Sequence, residues 1–175
     1  MSKQEISVQM PMKPSYMYSF MFQHLHRSFK GIFGVIISVA ALVAFGMSFD
    51  GSADITRKVI LLVIGLLFTV INPILLWFKA YRQVKLSPVF KEPIQYDFSP
   101  EGMRVSQGSE EQFVTWKQVL EVRKTASVLI IYTSRNAGSI LAYKEMGEQR
   151  SEIERQIAEG CKAAGVAKVP SSFLK

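Results

Sequence analysis

Two long apolar runs constrain the fold of this 175-residue chain more than any other feature of its sequence. They cover residues 31–49 and 59–78, and neither contains Asp, Glu, Lys, Arg or His. At about 1.5 Å per helical residue, roughly 20 residues cross the hydrocarbon core of a bilayer. A helix satisfies its own backbone hydrogen bonds there, which lipid cannot do. The sequence therefore predicts a transmembrane helical hairpin over residues 31–78.

The charges that flank the two runs predict the orientation of the hairpin. The side that carries both termini holds Lys13, Arg27, Lys30, Lys79, Arg82, Lys85 and Lys91, whereas the connecting loop holds only Arg57 and Lys58. Basic residues favour the cytoplasmic side of a membrane. We therefore expect an inner (plasma) membrane protein with both termini in the cytoplasm, and the single cysteine fits that reducing compartment.

Small and polar residues within the two runs predict how the spans pack. They form one stripe on each helix, comprising Gly34, Ser38 and Ala41 on the first and Gly65, Thr69 and Asn72 on the second. Close packing of small residues and interhelical hydrogen bonds hold helices together in lipid, so we expect the stripes to face each other. Pro73 removes a helix hydrogen bond and should kink the second span. Asn72 could also mark a substrate route, but two spans without an intramembrane charge favour packing.

Residues 1–30 are predicted to form a strand and a juxtamembrane amphipathic helix. Apolar Ile6, Val8 and Met10 alternate with polar residues, as in a half-buried strand. We expect this strand to add an edge to the sheet of the C-terminal region. From residue 15 to residue 30, apolar side chains recur at helical spacing, and this helix should lie on the membrane. His24 and His26 point to different helix faces, so a solvated or interfacial role is favoured over metal binding.

Beyond the hairpin, residues 79–93 are predicted to be a basic linker or extended connection, and residues 94–175 a small β-domain. Six short runs rich in β-branched and aromatic residues, separated by turn residues, predict an antiparallel meander. They cover residues 94–98, 102–106, 112–116, 120–125, 128–133 and 139–143. A helix over residues 148–164 should follow, with a capping box at Ser151 and Glu154 and a stop at Gly165. We expect Trp116 and Cys161 to be buried.

The linker carries the candidate membrane-surface site. Lys79, Arg82, Lys85 and Lys91 lie next to the predicted membrane without an acidic residue among them. The net charge of +7 would suggest nucleic acid in a soluble protein, but anionic lipid headgroups are the nearer partner here. We therefore favour lipid over nucleic acid. The alternative is that these residues only set the topology.

The order of elements, together with several short motifs, resembles the YcxB-like family of small bacterial membrane proteins. The resemblance runs from Tyr96 to about Gly165. It includes Tyr-x-Phe at residues 96–98, Gly102, Thr115-Trp116 opening W-x-x-V, Glu121-Val122, the strand at residues 128–133, and Lys144 before the helix. The family implies a pleckstrin-homology-like fold, a bent antiparallel sheet capped by one helix, with no established activity.

Motifs for phosphate loops, dinucleotide binding, zinc peptidases, redox pairs and nucleophile elbows are absent from the sequence. The carboxylates near the C-terminal helix alternate with basic residues, which is typical of a solvated face. We therefore predict a non-enzymatic α+β membrane protein, without cofactor or metal, that presents a tethered cytoplasmic β-domain to a protein, a peptide or lipid headgroups. The alternatives are an enzyme with an unrecognised site in the β-domain and an oligomeric transport or channel subunit. The sequence does not indicate an oligomeric state.

Overall fold

The computed structural model describes residues 6–27, 29–50 and 54–173, and within them the chain is an α+β protein with antiparallel sheets. The strands are β1 Ile6–Met10, β2 Ile94–Phe98, β3 Gly102–Gln107, β4 Glu110–Thr115, β5 Glu121–Lys124, β6 Val128–Tyr132 and β7 Gly138–Ala142. The helices are α1 Pro14–Arg27, α2 Phe29–Met47, α3 Ile55–Leu66, α4 Asn72–Leu86, α5 Tyr143–Met146 and α6 Arg150–Ala163. The α+β class and the antiparallel pairing are as predicted.

The strands form two sheets rather than one continuous meander. Sheet A has the order β1-β2-β3-β4, and sheet B has the order β5-β6-β7. A 3-10 turn at Trp116–Gln118 separates them, and a capping box between Thr115 and Gln118 holds that turn. Strand β1 pairs antiparallel with β2, with Val8 opposite Tyr96. The N-terminal strand thus extends the sheet, as predicted, although more than 80 residues separate it from β2.

The core of the β-domain lies between the two sheets and α6. Strand β6 is buried along its whole length, and Ile153 and Ile157 of α6 are fully buried with it. Trp116 is 2% exposed, as expected, and its indole Nε1 donates a hydrogen bond to the Ser99 carbonyl at 3.1 Å. The same ring lies directly against Gly160, where a Cβ atom would overlap it. Only glycine fits α6 at this point.

Helix α6 ends as predicted but begins differently. Gly165 has φ +72°, and the Val166 N–H donates to the Cys161 carbonyl at 2.9 Å, which completes a Schellman motif. The predicted capping box at Ser151 and Glu154 is wrong. Gln149 precedes the first residue of the helix without a side-chain cap. The Glu154 carboxylate is instead held by basic side chains, because Lys124 lies 2.6 Å from it.

The apolar runs are helical and largely uncovered by the rest of the protein. The segment Ile55–Leu86 is a 32-residue helix long and apolar enough to cross a membrane. The pair Pro14–His26 and Gly31–Met47, bent by 82°, would provide a second such element. In place of a simple bend at Pro73, five residues at Leu67–Ile71 form a π-helical turn just before it. Such turns accommodate a missing or diverted helix hydrogen bond.

Residues 79–93 were predicted as a basic linker or extended connection, and an extended conformation is wrong for most of them. Helix α4 continues to Leu86, and Pro88–Lys91 form a 3-10 turn. Residues 79–86 contain no Gly or Pro, and the buried pair Ala80 and Val84 packs one turn apart against α1. The helix stops at Ser87, which precedes a proline and is extended.

Candidate membrane-surface site

Helix α4 has two different faces where it leaves the apolar span. One face carries Ala80 and Val84, which are buried against Met17 of α1. Close to them, the rings of Tyr18 and Trp77 meet edge to face with centroids 5.5 Å apart. This packing fixes the rotation of α4, so the opposite face of the helix points away from the protein.

The opposite face forms a shallow groove, which we call the α4 groove. Its lining residues are Leu75, Phe78, Lys79, Arg82, Gln83, Leu86 and Ser87. Spacings of three and four residues place these side chains on one side of a helix. Phe78 is 59% exposed and Leu75 is equally accessible, although both are large apolar residues. The groove therefore combines uncovered apolar surface at one end with two cationic side chains beside it.

The four predicted basic residues do not form a single cluster. Lys79 and Arg82 lie together in the α4 groove, Lys85 lies outside its lining, and Lys91 belongs to the following 3-10 turn. All four residues are exposed. The four charges are neighbours along the chain, but only Lys79 and Arg82 line the α4 groove.

Ion pairs between described residues lie elsewhere in the molecule. They link Lys13–Glu145, Arg104–Glu111, Arg123–Glu121, Lys124–Glu154, Arg150–Glu154, Arg155–Glu152 and Arg155–Glu159. Each pair has at least one member within the β-domain. Among the residues that the structure describes, no acidic side chain neutralises the cations of α4. These cations are therefore available to an anion from outside the protein.

Helix α1 joins α4 to the β-domain, a role that the sequence did not reveal. The Tyr16 hydroxyl donates to the Glu145 carboxylate at 2.8 Å, and the Lys13 ammonium donates to the same carboxylate at 2.5 Å. These hydrogen bonds hold the pKa of the Glu145 carboxyl below its usual range, and the Lys13 bond is the largest cause. Glu145 lies on α5, so the contact ties the start of α1 to the end of the sheet.

The second turn of α1 contacts sheet B directly. The rings of Phe20 and Tyr132 stack with centroids 5.8 Å apart, and the Ser19 and Ser127 hydroxyl oxygens are 3.0 Å apart. The sequence predicts that α1 lies on the membrane. The structure shows in addition that α1 packs between α4 and sheet B, with the side chains of residues 18–26 half-buried.

A further contact fixes the segment between α4 and β2. The Gln107 side-chain amide, at the tip of the β3–β4 hairpin, donates to the backbone carbonyls of Glu92, at 2.9 Å, and Val89. Gly108, with φ +58°, lets the chain turn there close to the Glu92 carboxylate. The β-domain is therefore attached to the end of α4 at two places, through α1 and through this hairpin tip.

The predicted helix-packing residues lie mostly between α2 and the helix that follows. Gly34 lies directly against Phe68, and Gly65 directly against Leu42. Gly34, Ser38, Ala41 and Gly65 are buried. Asn72, half-buried, opens α4, and Thr69 donates within its own helix to the Gly65 carbonyl at 2.6 Å.

Ser38 makes the polar contact between the two apolar helices. Its hydroxyl donates to the Ile64 carbonyl at 3.0 Å and accepts from the Phe68 N–H at 3.2 Å. In a regular α-helix, the Phe68 N–H would donate to the Ile64 carbonyl directly. The Ser38 hydroxyl therefore replaces one hydrogen bond of the neighbouring helix, at the start of its π-helical turn.

Several titratable groups of the β-domain are buried in its core or form ion pairs. Burial raises the pKa of the Cys161 thiol to about 11 and that of the Tyr96 phenol to about 12. On α6, Arg155 lies 2.8 Å from Glu159. Within residues 6–27, 29–50 and 54–173, no group of three or more His, Cys, Asp or Glu side chains is placed to hold a metal ion.

Comparison with known proteins identifies one part of the chain. Neither the curated proteins nor the solved structures gave a match. The model of the family described as YcxB-like protein matches residues 98–157, which run from the end of β2 into α6. That interval holds most of the motifs from which the resemblance was drawn. Residues 98–157 are thus similar to the YcxB-like family, in agreement with the resemblance that the sequence shows.

Proposed function

We propose that this chain is an integral membrane protein whose hairpin holds the YcxB-like domain at the cytoplasmic surface of the inner membrane, in a fixed orientation, for interaction rather than catalysis. The observation that carries this proposal is the single helix Ile55–Leu86. It runs from an apolar span into a basic segment, and that basic segment is packed against α1.

The length of this helix supports a position close to the bilayer. Its 32 residues extend about 48 Å at 1.5 Å per residue, whereas the hydrocarbon core is about 30 Å thick. About 18 Å of helix is therefore left for the interfaces. Trp77 and Tyr81 lie where the apolar part ends, as aromatic residues do at a membrane interface.

The attachment through α1 gives the domain little freedom to move away from the membrane. A flexible linker would let the domain sample many orientations. Here the contacts of Glu145, Tyr132 and Gln107 join both sheets to the end of α4, through α1 and through the segment that follows α4. The exposed cations of α4 add attraction to anionic headgroups, on the order of 1 kcal/mol for each charge near the surface. The surface of the β-domain is then presented to a protein or peptide partner.

Topology reporters test the placement in the membrane. A reporter active only in the cytoplasm should work when fused at Lys175 and fail when inserted within residues 51–54. The opposite pattern would place the β-domain on the outer side. A protein that is extracted from membranes by alkaline carbonate would not be integral at all, and the proposal would be wrong at its first step.

A turnover screen tests the non-enzymatic part of the proposal. The purified full chain, in detergent, should show no activity above background in an unbiased set of hydrolase and transferase substrates. An activity that co-purifies with the protein and is lost on substitution of a β-domain residue would contradict the proposal. The placement in the membrane would be unaffected by that result.

A further inference from the structure

We infer that the α4 groove binds one anionic phospholipid, with the phosphate beside Lys79 and Arg82 and an acyl chain along Leu75 and Phe78. This inference rests on the proposed membrane insertion and gives the basic segment a specific ligand. It differs from general attraction to a charged surface, because it assigns a single binding site to two of the four cations.

The chemistry of the groove changes along the helix in the order that a phospholipid requires. Leu75 and Phe78 lie within the apolar run, and both are exposed in the protein alone. Lys79 and Arg82 follow within the next turn, where the interfacial residues Trp77 and Tyr81 place the headgroup region. Moving along α4 therefore leads from acyl-chain contacts to phosphate contacts.

Charge complementarity favours an anionic occupant. Lys79 and Arg82 are three residues apart on one face, and the described acidic residues form their ion pairs elsewhere. An arginine guanidinium can donate two hydrogen bonds to one phosphate, and a neighbouring ammonium adds a third donor. Gln83 and Ser87 border the same groove and offer further polar groups to a headgroup. A second copy of the chain would need an acidic surface of matching shape, so lipid is the better fit.

Binding can be measured on the full-length protein in a neutral detergent. Native mass spectrometry should show one bound phosphatidylglycerol per protein at low lipid concentration, and little bound phosphatidylcholine. Inorganic phosphate at the same concentration should not displace the lipid, because it lacks the acyl chain. Displacement by phosphate would identify a site for a free anion and would overturn the inference.

Two matched double variants separate a site from diffuse attraction. Lys79→Gln with Arg82→Gln removes both cations of the groove, and we expect binding to weaken about tenfold or more, since each such charge is worth on the order of 1 kcal/mol. Lys85→Gln with Lys91→Gln removes the same total charge from outside the groove. Site binding predicts that the second variant retains the lipid. Equal weakening in both variants, or none in either, would overturn the inference.

The substitutions are placed where they should not affect folding, since all four side chains are exposed. Equal helix content and equal melting temperatures of the two variants would establish this directly. The proposed membrane insertion has its own readout in the carbonate extraction. A protein that stays in the membrane but binds no stoichiometric lipid would leave the proposed function intact and refute only the groove.

Discussion

Replacement of Met10 by Ala tests whether the N-terminal strand is a structural part of the β-domain. Met10 ends β1, pairs with Ile94 of β2 and is 2% exposed. Its Sδ also accepts the Ala142 N–H at 3.4 Å, so this side chain contacts both sheets. Truncation of a buried methionine to alanine costs about 2–5 kcal/mol. We expect Met10→Ala to lower the free energy of unfolding of the β-domain by at least about 2 kcal/mol.

The single cysteine of the chain supplies the assay. Cys161 is fully buried, and the raised pKa of its thiol slows labelling further while the domain is closed. A thiol reagent added to the full-length protein in detergent therefore reports opening of the domain. Where reclosing is faster than labelling, the rate follows the population of the open form. Since 1.4 kcal/mol is a factor of ten, a loss of about 2 kcal/mol should raise the labelling rate about 30-fold.

Gln9→Ala is the matched control. Gln9 is the preceding residue of the same strand, pairs with Gln95 and is exposed. Surface substitutions usually change stability by less than about 0.5 kcal/mol, so labelling of Cys161 should stay within about twofold of the wild type. If Met10→Ala also labelled at the wild-type rate, β1 would contribute nothing to the domain, and our account of this strand would be refuted.

Three further predictions follow from individual contacts. Gly160→Ala should lower the melting temperature, because the new methyl group overlaps the Trp116 ring, and overpacking of this kind costs about 1–3 kcal/mol; an unchanged melting curve would contradict this. Glu145→Gln should lower stability at pH 7. The folded-state pKa of Glu145 is depressed, so its contribution is present above the unfolded value of about 4.3 and is lost as the pH falls through the folded pKa. Wild type and variant should therefore converge in melting temperature as the pH falls below the folded-state pKa of Glu145, and a constant difference would refute the role of the carboxylate. Ser38→Ala should destabilise the helical hairpin by about 0.6–2 kcal/mol in detergent unfolding, and no change would mean that the hydroxyl is not needed.

The parts of the fold that depend on local patterns were predictable from the sequence. Strand β2 has the predicted bounds, residue for residue, because alternation and flanking turn residues are local signals. Strand β1 was predicted from only five residues for the same reason. The buried thiol of Cys161 followed from its position on the apolar stripe of α6.

The position of α1 and the helical state of residues 79–86 were not predictable in the same way. Both depend on contacts between segments that are distant along the chain, such as Met17 with Val84. One signal for the helix end was nonetheless present. Ser87 precedes Pro88, and a residue before proline is pushed out of the helical region, so a helix that continued from the span would be expected to stop there.

The candidate site was only partly predictable from the sequence, because it also depends on the helical state of residues 79–86. Lys79, Arg82, Lys85 and Lys91 read as one basic segment when the chain is taken to be extended. Once residues 79–86 are helical, Lys79 and Arg82 both line the α4 groove, whereas Lys85, although also three residues from Arg82, is not among its lining residues. The grouping of the charges therefore depends on a secondary structure that long-range packing decides.

The contact made by Ser38 connects the packing of the hairpin to the orientation of the α4 groove. A π-helical turn places one extra residue in the helix, which rotates all later residues by about 100° around the axis relative to a regular α-helix. The turn at Leu67–Ile71 begins where the Ser38 hydroxyl accepts the Phe68 N–H. With that rotation, Ala80 and Val84 meet α1 and the α4 groove points outward. Without it, a different face of α4 would be turned toward α1. One hydroxyl group between the apolar helices thus helps to determine which side chains of α4 form the groove.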